Sequence, residues 1–323
     1  MDSHSYYEAE NIFKDMRIKN TILLISSILL IILNFWLFNL KPALVNLSFD
    51  PDLFMISDTS KLERFQFHSK ELDHYFSRQE GWKINNEFPS DPNLRKMLFT
   101  VYKRIKVARA LTGDEKNQLL KRNEKIGTSV TLTVEGREQS YSVVGNANKT
   151  KTYFVQNQEV YQVDIPGYRD FLASIYELKR DQWRDRLIFN GNWRTIQKIE
   201  VVYPEKSDKN LLIRFEETFY EVNGLDQIDS SAVVAYLNQF EFLQANERIS
   251  PGFSTAFDSL SQTSPEVIIS IWDIKYKLPI EIRIFPQLSG QSIRLIMDQN
   301  NELMVFESKR ILTYYKSRAD FAF

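Results

Sequence analysis

Apolar positions along this chain follow three patterns, and each predicts a different element. The first is one unbroken stretch, Thr21 to Leu40 (TILLISSILLIILNFWLFNL), with no charged residue. A hydrocarbon core of ~30 Å takes about 20 apolar residues in a helix, so the stretch predicts a single transmembrane helix. The second pattern is alternation. It predicts strands at 61–67, 129–134, 140–144, 152–156 and 160–164, with a hairpin through 76–84 that carries Trp82. It returns at 199–203, 211–215, 219–222, 267–272, 280–285, 293–297 and 303–307. The third pattern has helical spacing. Ser90-Asp91-Pro92 is N-cap chemistry ahead of Leu94, Leu98, Val101, Tyr102 and Ile105. Asp229-Ser230-Ser231 stands in the same way before Val233, Leu237, Phe240 and Leu243. A further helical stretch is expected near 114–121.

The two sets of elements come in the same order at a nearly constant separation. Polar turns, Gln156-Asn157-Gln158 and Asp298-Gln299-Asn300-Asn301, occupy corresponding places in them. The expected fold class is therefore α+β: a single transmembrane helix, then two tandem repeats of antiparallel sheet plus helix. The expected boundaries are a cytoplasmic tail over 1–20, the membrane helix over 21–40, a first repeat with a bridging helix over 46–190, and a second repeat over 191–323.

The flanks of the apolar run orient it. Lys14, Arg17 and Lys19 precede it closely, while Lys41 is the only basic residue from there to Ser60. The positive-inside bias then leaves the N-terminus in the cytoplasm and residues 41–323 on the other side, with Trp36 and Phe38 at the outer interface. A cleaved signal peptide is the competing reading. The run is longer than a signal h-region, and no small-x-small cleavage site follows it. Ser26, Ser27 and Asn34 are the polar positions inside the span. They read as hydrogen-bonding groups for a neighbouring helix or as tolerated singletons.

Composition removes several classes of function. With no Cys there are no disulfides, thiolate metal sites, thiol nucleophiles or lipoprotein anchor. The 41 basic and 42 acidic residues are well mixed and give a net charge of −1, which argues against a nucleic-acid footprint. Apolar residues at 43% and aromatic residues at 13% supply ample core material.

Candidate chemistry is sparse. There is no G-x-G-x-x-G, P-loop or H-E-x-x-H motif. Gly252-Phe253-Ser254-Thr255-Ala256 is the nearest approach to a nucleophile elbow, and it reads as a plain loop after Pro251. His68 and His74 stand near Glu71 and Asp73 and read as exposed hairpin residues, without a nameable third or fourth metal ligand. Glu216-Glu217 and the pair Asp181 and Asp185 read as solvated or salt-bridged carboxylates. No catalytic residue, metal or cofactor is assigned.

One segment stands out, between the two repeats. Pro166-Gly167 ends a strand, and Tyr168, Phe171, Leu172, Ile175 and Leu178 form a helical stripe. Trp183 then sits among Arg184, Asp185 and Arg186. The local reading is a buried Trp with paired charges sealing the joint between repeats; the rival reading is a ligand-binding Arg cluster. Residues 163–189, with the continuation IQKIEVVYP at 196–204, resemble the DUF4340 family of bacterial envelope proteins. The resemblance implies a single-pass, membrane-anchored protein of the bacterial inner membrane with its bulk in the periplasm. It also implies an accessory role beside an ABC transporter of the gliding-motility type or another envelope complex, with membrane or periplasmic protein partners and no catalytic residues. The alternative function is a periplasmic module that binds a polymer or small anion between the repeats.

Overall fold

The computed structural model describes residues 25–34, 49–78, 81–168 and 171–323. Residues 25–34 form a helix, α1, in a unit that ends at Pro51; a second compact unit spans Asp52–Phe323.

The second unit is built on two large antiparallel sheets. The first contains β1 (Leu62–His68), β2 (Asp73–Ser77), β3 (Lys83–Ile84), β4 (Phe88–Pro89), β5 (Lys106–Ala110), β6 (Thr128–Val134), β7 (Arg137–Gly145), β8 (Thr152–Gln156) and β9 (Glu159–Asp164). Its nine strands lie in the order β4-β3-β2-β1-β6-β7-β8-β9-β5. A two-stranded sheet pairs β10 (Leu187–Phe189) with β14 (Leu243–Gln244). The second large sheet uses β11 (Ile196–Val202), β12 (Leu211–Glu216), β13 (Phe219–Val222), β15 (Glu247–Ile249), β16 (Val267–Asp273), β17 (Ile280–Ile284), β18 (Ile293–Asp298) and β19 (Leu303–Glu307). Its eight strands run β13-β12-β11-β16-β17-β18-β19-β15.

The two orders are the same once β4 is set aside. In each, three opening strands pair successively, and the last four form a meander. An edge strand drawn from the middle of the segment (β5 or β15) then pairs with the final strand. Helices occupy equivalent places: α2 (Pro92–Arg104) and α3 (Gly113–Ile126) in the first half, α5 (Ser230–Asn238) and α6 (Thr255–Leu260) in the second. Between the halves stands α4 (Arg180–Trp183), and α7 (Ser308–Ile311) follows β19.

Burial explains the architecture. β16 alternates buried and half-buried positions along its whole length, as a strand with one core face must. β18 and β19 are buried on both faces. Ile296, Met304 and Phe306 face the main core with Val233, Leu237 and Phe240 of the α5 region. Leu295, Met297, Leu303 and Val305 face a second cluster with Phe257 of α6 and Ile249 of β15. The first sheet repeats this, with Tyr153 and Val155 of β8 packed on Leu119 of α3.

Two expectations need correction. The class is not α+β. Antiparallel strands dominate the described residues, and only α2, α3 and α5 among the labelled helices of the second unit exceed two turns. The strands that the sequence pattern missed (β4, β5, β10, β14 and β15) are short, and tertiary pairing rather than alternation defines them; β5 reads Lys-Val-Ala-Arg-Ala. The bridging helix is instead a 3-10 turn over Leu172–Glu177. There Leu172 and Ile175, and Ala173 and Tyr176, are the buried pairs, which is a period of three rather than 3.6. The second correction concerns the anchor. Among the described residues no helix is long and apolar enough to cross a membrane. The remainder of the run 21–40, with Trp36, lies outside the described residues, as does the tail 1–20. Within α1, Ser26 and Ser27 are exposed, and the Asn34 side-chain amide donates to the Leu30 carbonyl at 3.2 Å, inside its own helix.

Candidate functional site: the joint between the sheets and its cleft

The chain leaves α4 at Trp183 and runs extended from Arg184 to Phe189 between the two halves, hydrogen-bonded along both edges. On one edge the Asp91 amide donates to the Trp183 carbonyl (2.7 Å), and the Asp185 amide donates to the Pro89 carbonyl (2.8 Å). On the other edge β10 pairs with β14, and the Ala245 amide donates to the Arg186 carbonyl (2.9 Å). The backbone alone therefore stitches the end of β4 to the strand that precedes β15.

Side chains extend the connection into each core. Trp183 is fully buried among first-sheet aromatics, with its ring centroid 5.0 Å from Phe76 and 5.8 Å from Phe67. Phe189, six residues on, is fully buried in the second core, 6.5 Å from Phe240. Consecutive anchors on opposite sides make the strap a two-ended plug.

The charged residues between these anchors do not pair among themselves, as the sequence suggested; they reach outward. Arg184 is buried. Its guanidinium bonds Glu302, lies 3.5 Å from Asp181, and stacks 3.8 Å over the Phe88 ring. Arg186 donates through Nε to Asp91 Oδ2 at 3.1 Å and through Nη1 to the Asn246 carbonyl at 3.3 Å. The Asp185 carboxylate turns back to accept the Leu187 amide at 2.9 Å. Its carbonyl accepts from Arg248 Nε at 2.5 Å.

Arg248 is the partner no motif announced. Its Nη1 lies 3.3 Å from Glu302 and 3.7 Å from Asp298, and its Nη2 donates to the Leu187 carbonyl at 3.3 Å. Asp298 and Glu302 come from the polar turn between β18 and β19. There Asp298 Oδ1 holds the turn by accepting the amides of Asn300 and Glu302, at 2.9 and 3.0 Å. That turn was legible as a hairpin connection, but nothing in its spacing assigned it a role at the joint. Burial presses the Arg184 guanidinium below its ordinary pKa, and the like charge of Arg248 adds to this. Burial does the same to Arg248, against the pull of Asp298. Both stay protonated, since a guanidinium does not deprotonate in proteins. Buried Arg184 and half-buried Arg248, held against Glu302, Asp298 and Asp181, form a compensated network, the arrangement that burying charge demands.

Beside this network opens a cleft of about 580 Å³. Phe88, Arg180 and Arg184 line one wall; Ser250, Asp258 and Arg283 belong to the other. Arg180 bridges the cleft to Ser250 Oγ at 3.0 Å, and Arg283 donates to the Asp298 carbonyl at 2.8 Å. Of the two arginines expected in a groove, Arg184 lines it and Arg186 does not.

The remaining candidates separate. His68 pairs with Asp73 across β1 and β2 at 3.4 Å, while His74 is buried with Nε2 3.1 Å from the Leu178 carbonyl. The two imidazoles thus serve different neighbours, and no group of three metal-ligating side chains occurs among the described residues. Ser254 lies in the loop that joins β15 to α6, immediately before the helix. The described histidines belong to the first sheet. Glu216 is paired with Arg214 at 2.8 Å. No protein-family model, curated protein or solved structure matches the chain significantly.

Proposed function

We propose that this chain is a non-enzymatic accessory or scaffold subunit of an envelope complex of the ABC-transporter kind. We place it at the bacterial inner membrane, with its double-sheet unit on the periplasmic face. The observation that carries the reading is the joint. Arg184, Arg186 and Arg248 are committed to protein carboxylates and carbonyls, so the strap's cations serve to fix one sheet against the other. A rigid body with two sheets of the same strand order is suited to presenting surfaces to partners. The resemblance of residues 163–204 supports a place beside a transporter. Purification from native membranes in mild detergent is expected to bring down stoichiometric protein partners. A monodisperse chain without partners would count against the proposal.

The cleft favours a second reading, a periplasmic module that holds a small anion or a polymer end. Arg180 keeps a partly exposed guanidinium there, next to the Phe88 ring at 5.7 Å. The Arg184→Ala variant separates the two readings: loss of ligand binding at unchanged stability supports the cleft, whereas loss of stability supports the joint.

A further inference from the structure

The turn between β16 and β17 is the most apolar exposed feature of the second unit. It reads Asp273-Ile274-Lys275-Tyr276-Lys277-Leu278-Pro279, and all five residues from Ile274 to Leu278 are exposed. Leu278 has 77% of its surface open and Ile274 66%, whereas the aliphatic side chains of the flanking strands β16 and β17 are buried or half-buried. Between them stand Lys275 and Lys277, with no acid until Glu281.

The turn is held in shape. The Ile274 amide donates to the Thr195 carbonyl at 3.0 Å, and Lys275 Nζ donates to the Asn190 carbonyl at 3.0 Å. The Tyr276 ring packs on Phe189 with centroids 5.6 Å apart. The adjoining loop adds half-buried Trp193 and exposed Arg194. Carbonyls rather than carboxylates hold Lys275, so its charge is not neutralised. The acidic turns at the same end of the sheet are β12–β13, where Glu216 is paired with Arg214, and β18–β19, where Asp298 and Glu302 face Arg248.

We infer that this turn is a membrane-interface contact: Ile274 and Leu278 enter the headgroup boundary of an anionic bilayer, while Lys275 and Lys277 reach the phosphates. Alternation of apolar residues with lysines suits that boundary, because a long lysine stem lets the ammonium stay with the headgroups while its neighbours sink. Tyr and Trp are the aromatic residues favoured at the same depth, and the cations supply complementarity to anionic lipid. The inference rests on the proposed membrane location only for bringing the unit to a bilayer.

The chain has no Cys, so Leu278→Cys supplies a unique attachment point for an environment-sensitive nitrobenzoxadiazole dye. The full chain is studied in phosphatidylcholine vesicles with and without phosphatidylglycerol, and with brominated acyl chains as quenchers. Lys206→Cys, exposed beyond the opposite end of β11, is the reference. A blue-shifted, quenched dye at position 278 in anionic vesicles, with a water-like dye at 206, is the expected result. Combining Leu278→Cys with Lys275→Glu and Lys277→Glu lowers the docked-to-free ratio by at least about fivefold per lysine. A dye at 278 as water-like as that at 206 in both compositions overturns the inference. So does a blue shift seen only when a co-purifying protein is added, which would assign the turn to a protein partner. Carbonate extraction reports on the proposed membrane location separately. If the chain is extracted, flotation of the same labelled protein with anionic vesicles still decides the role of the turn.

Discussion

Arg184 shows how a single side chain can decide between two functions. Its removal leaves Glu302 with Arg248 alone and uncovers the Phe88 face. Breaking one partner of a buried pair costs about 3 kcal/mol. Arg184→Ala should lower the free energy of urea unfolding by that order, and Arg184→Lys should recover only part, since an ammonium lacks the planar fork. A change within about 0.5 kcal/mol would place Arg184 among ordinary surface residues. His74 gives a pH signature. Burial holds its imidazole pKa below the ordinary value of 6.5. The unfolded chain therefore takes up the proton more readily, and the stability this contributes is present above pH 6.5 and lost as pH falls through the lower folded pKa. Denaturation midpoints should fall on acidification in this window, and His74→Gln should flatten that part of the profile. Gly191 is a residue of close approach rather than of unusual backbone: a Cβ there would overlap the Asp273 carboxylate and the Phe189 ring. Gly191→Ala should lower the urea midpoint of the whole double-sheet unit.

At the scale of elements, α2 and α5 form a matched pair. Asp91 caps α2 by accepting the amides of Asn93 and Leu94 at 2.8 and 3.1 Å; Asp229 caps α5 in the same way at 2.9 and 3.0 Å. Only Asp91 also holds Arg186. Asp229→Ala should cost about 1 kcal/mol, the usual loss for a cap. Asp91→Ala should cost more, and Asp91→Asn should fall between because it keeps the cap and loses the charge. Equal costs for Asp91→Ala and Asp229→Ala would deny Asp91 its role at the joint.

These two helices were legible because capping residues and apolar spacing coincide there, and the meander strands were legible because alternation survives in them. The edge strands were not. Lys106–Ala110 has no alternation to read, and β9 supplies its partner across a long sequence separation. The site was half legible. A Trp among alternating Arg and Asp marks Trp183 to Arg186 as unusual, and local pattern cannot say more. Arg184 pairs with Glu302 and Asp185 receives Arg248, contacts that exist only once the two halves meet.

At the scale of the whole molecule, Trp183 in one core and Phe189 in the other predict that the two sheets unfold together. Residues 52–323 should melt in one transition. Trp183→Ala, which removes the larger plug at a cost of about 3–5 kcal/mol, should broaden or split that transition. Rigidity of this kind is what a scaffold needs and what a hinged binding protein lacks. The measurement that tests it most directly is native-state hydrogen exchange at the amides of Asp91, Asp185 and Ala245, which bridge strap and sheets. If the joint is one piece with both cores, these amides exchange only through global unfolding, with the protection of the central strands β6 and β16. If they exchange far faster than those strands while both sheets stay protected, the halves move independently and the joint is not what fixes them.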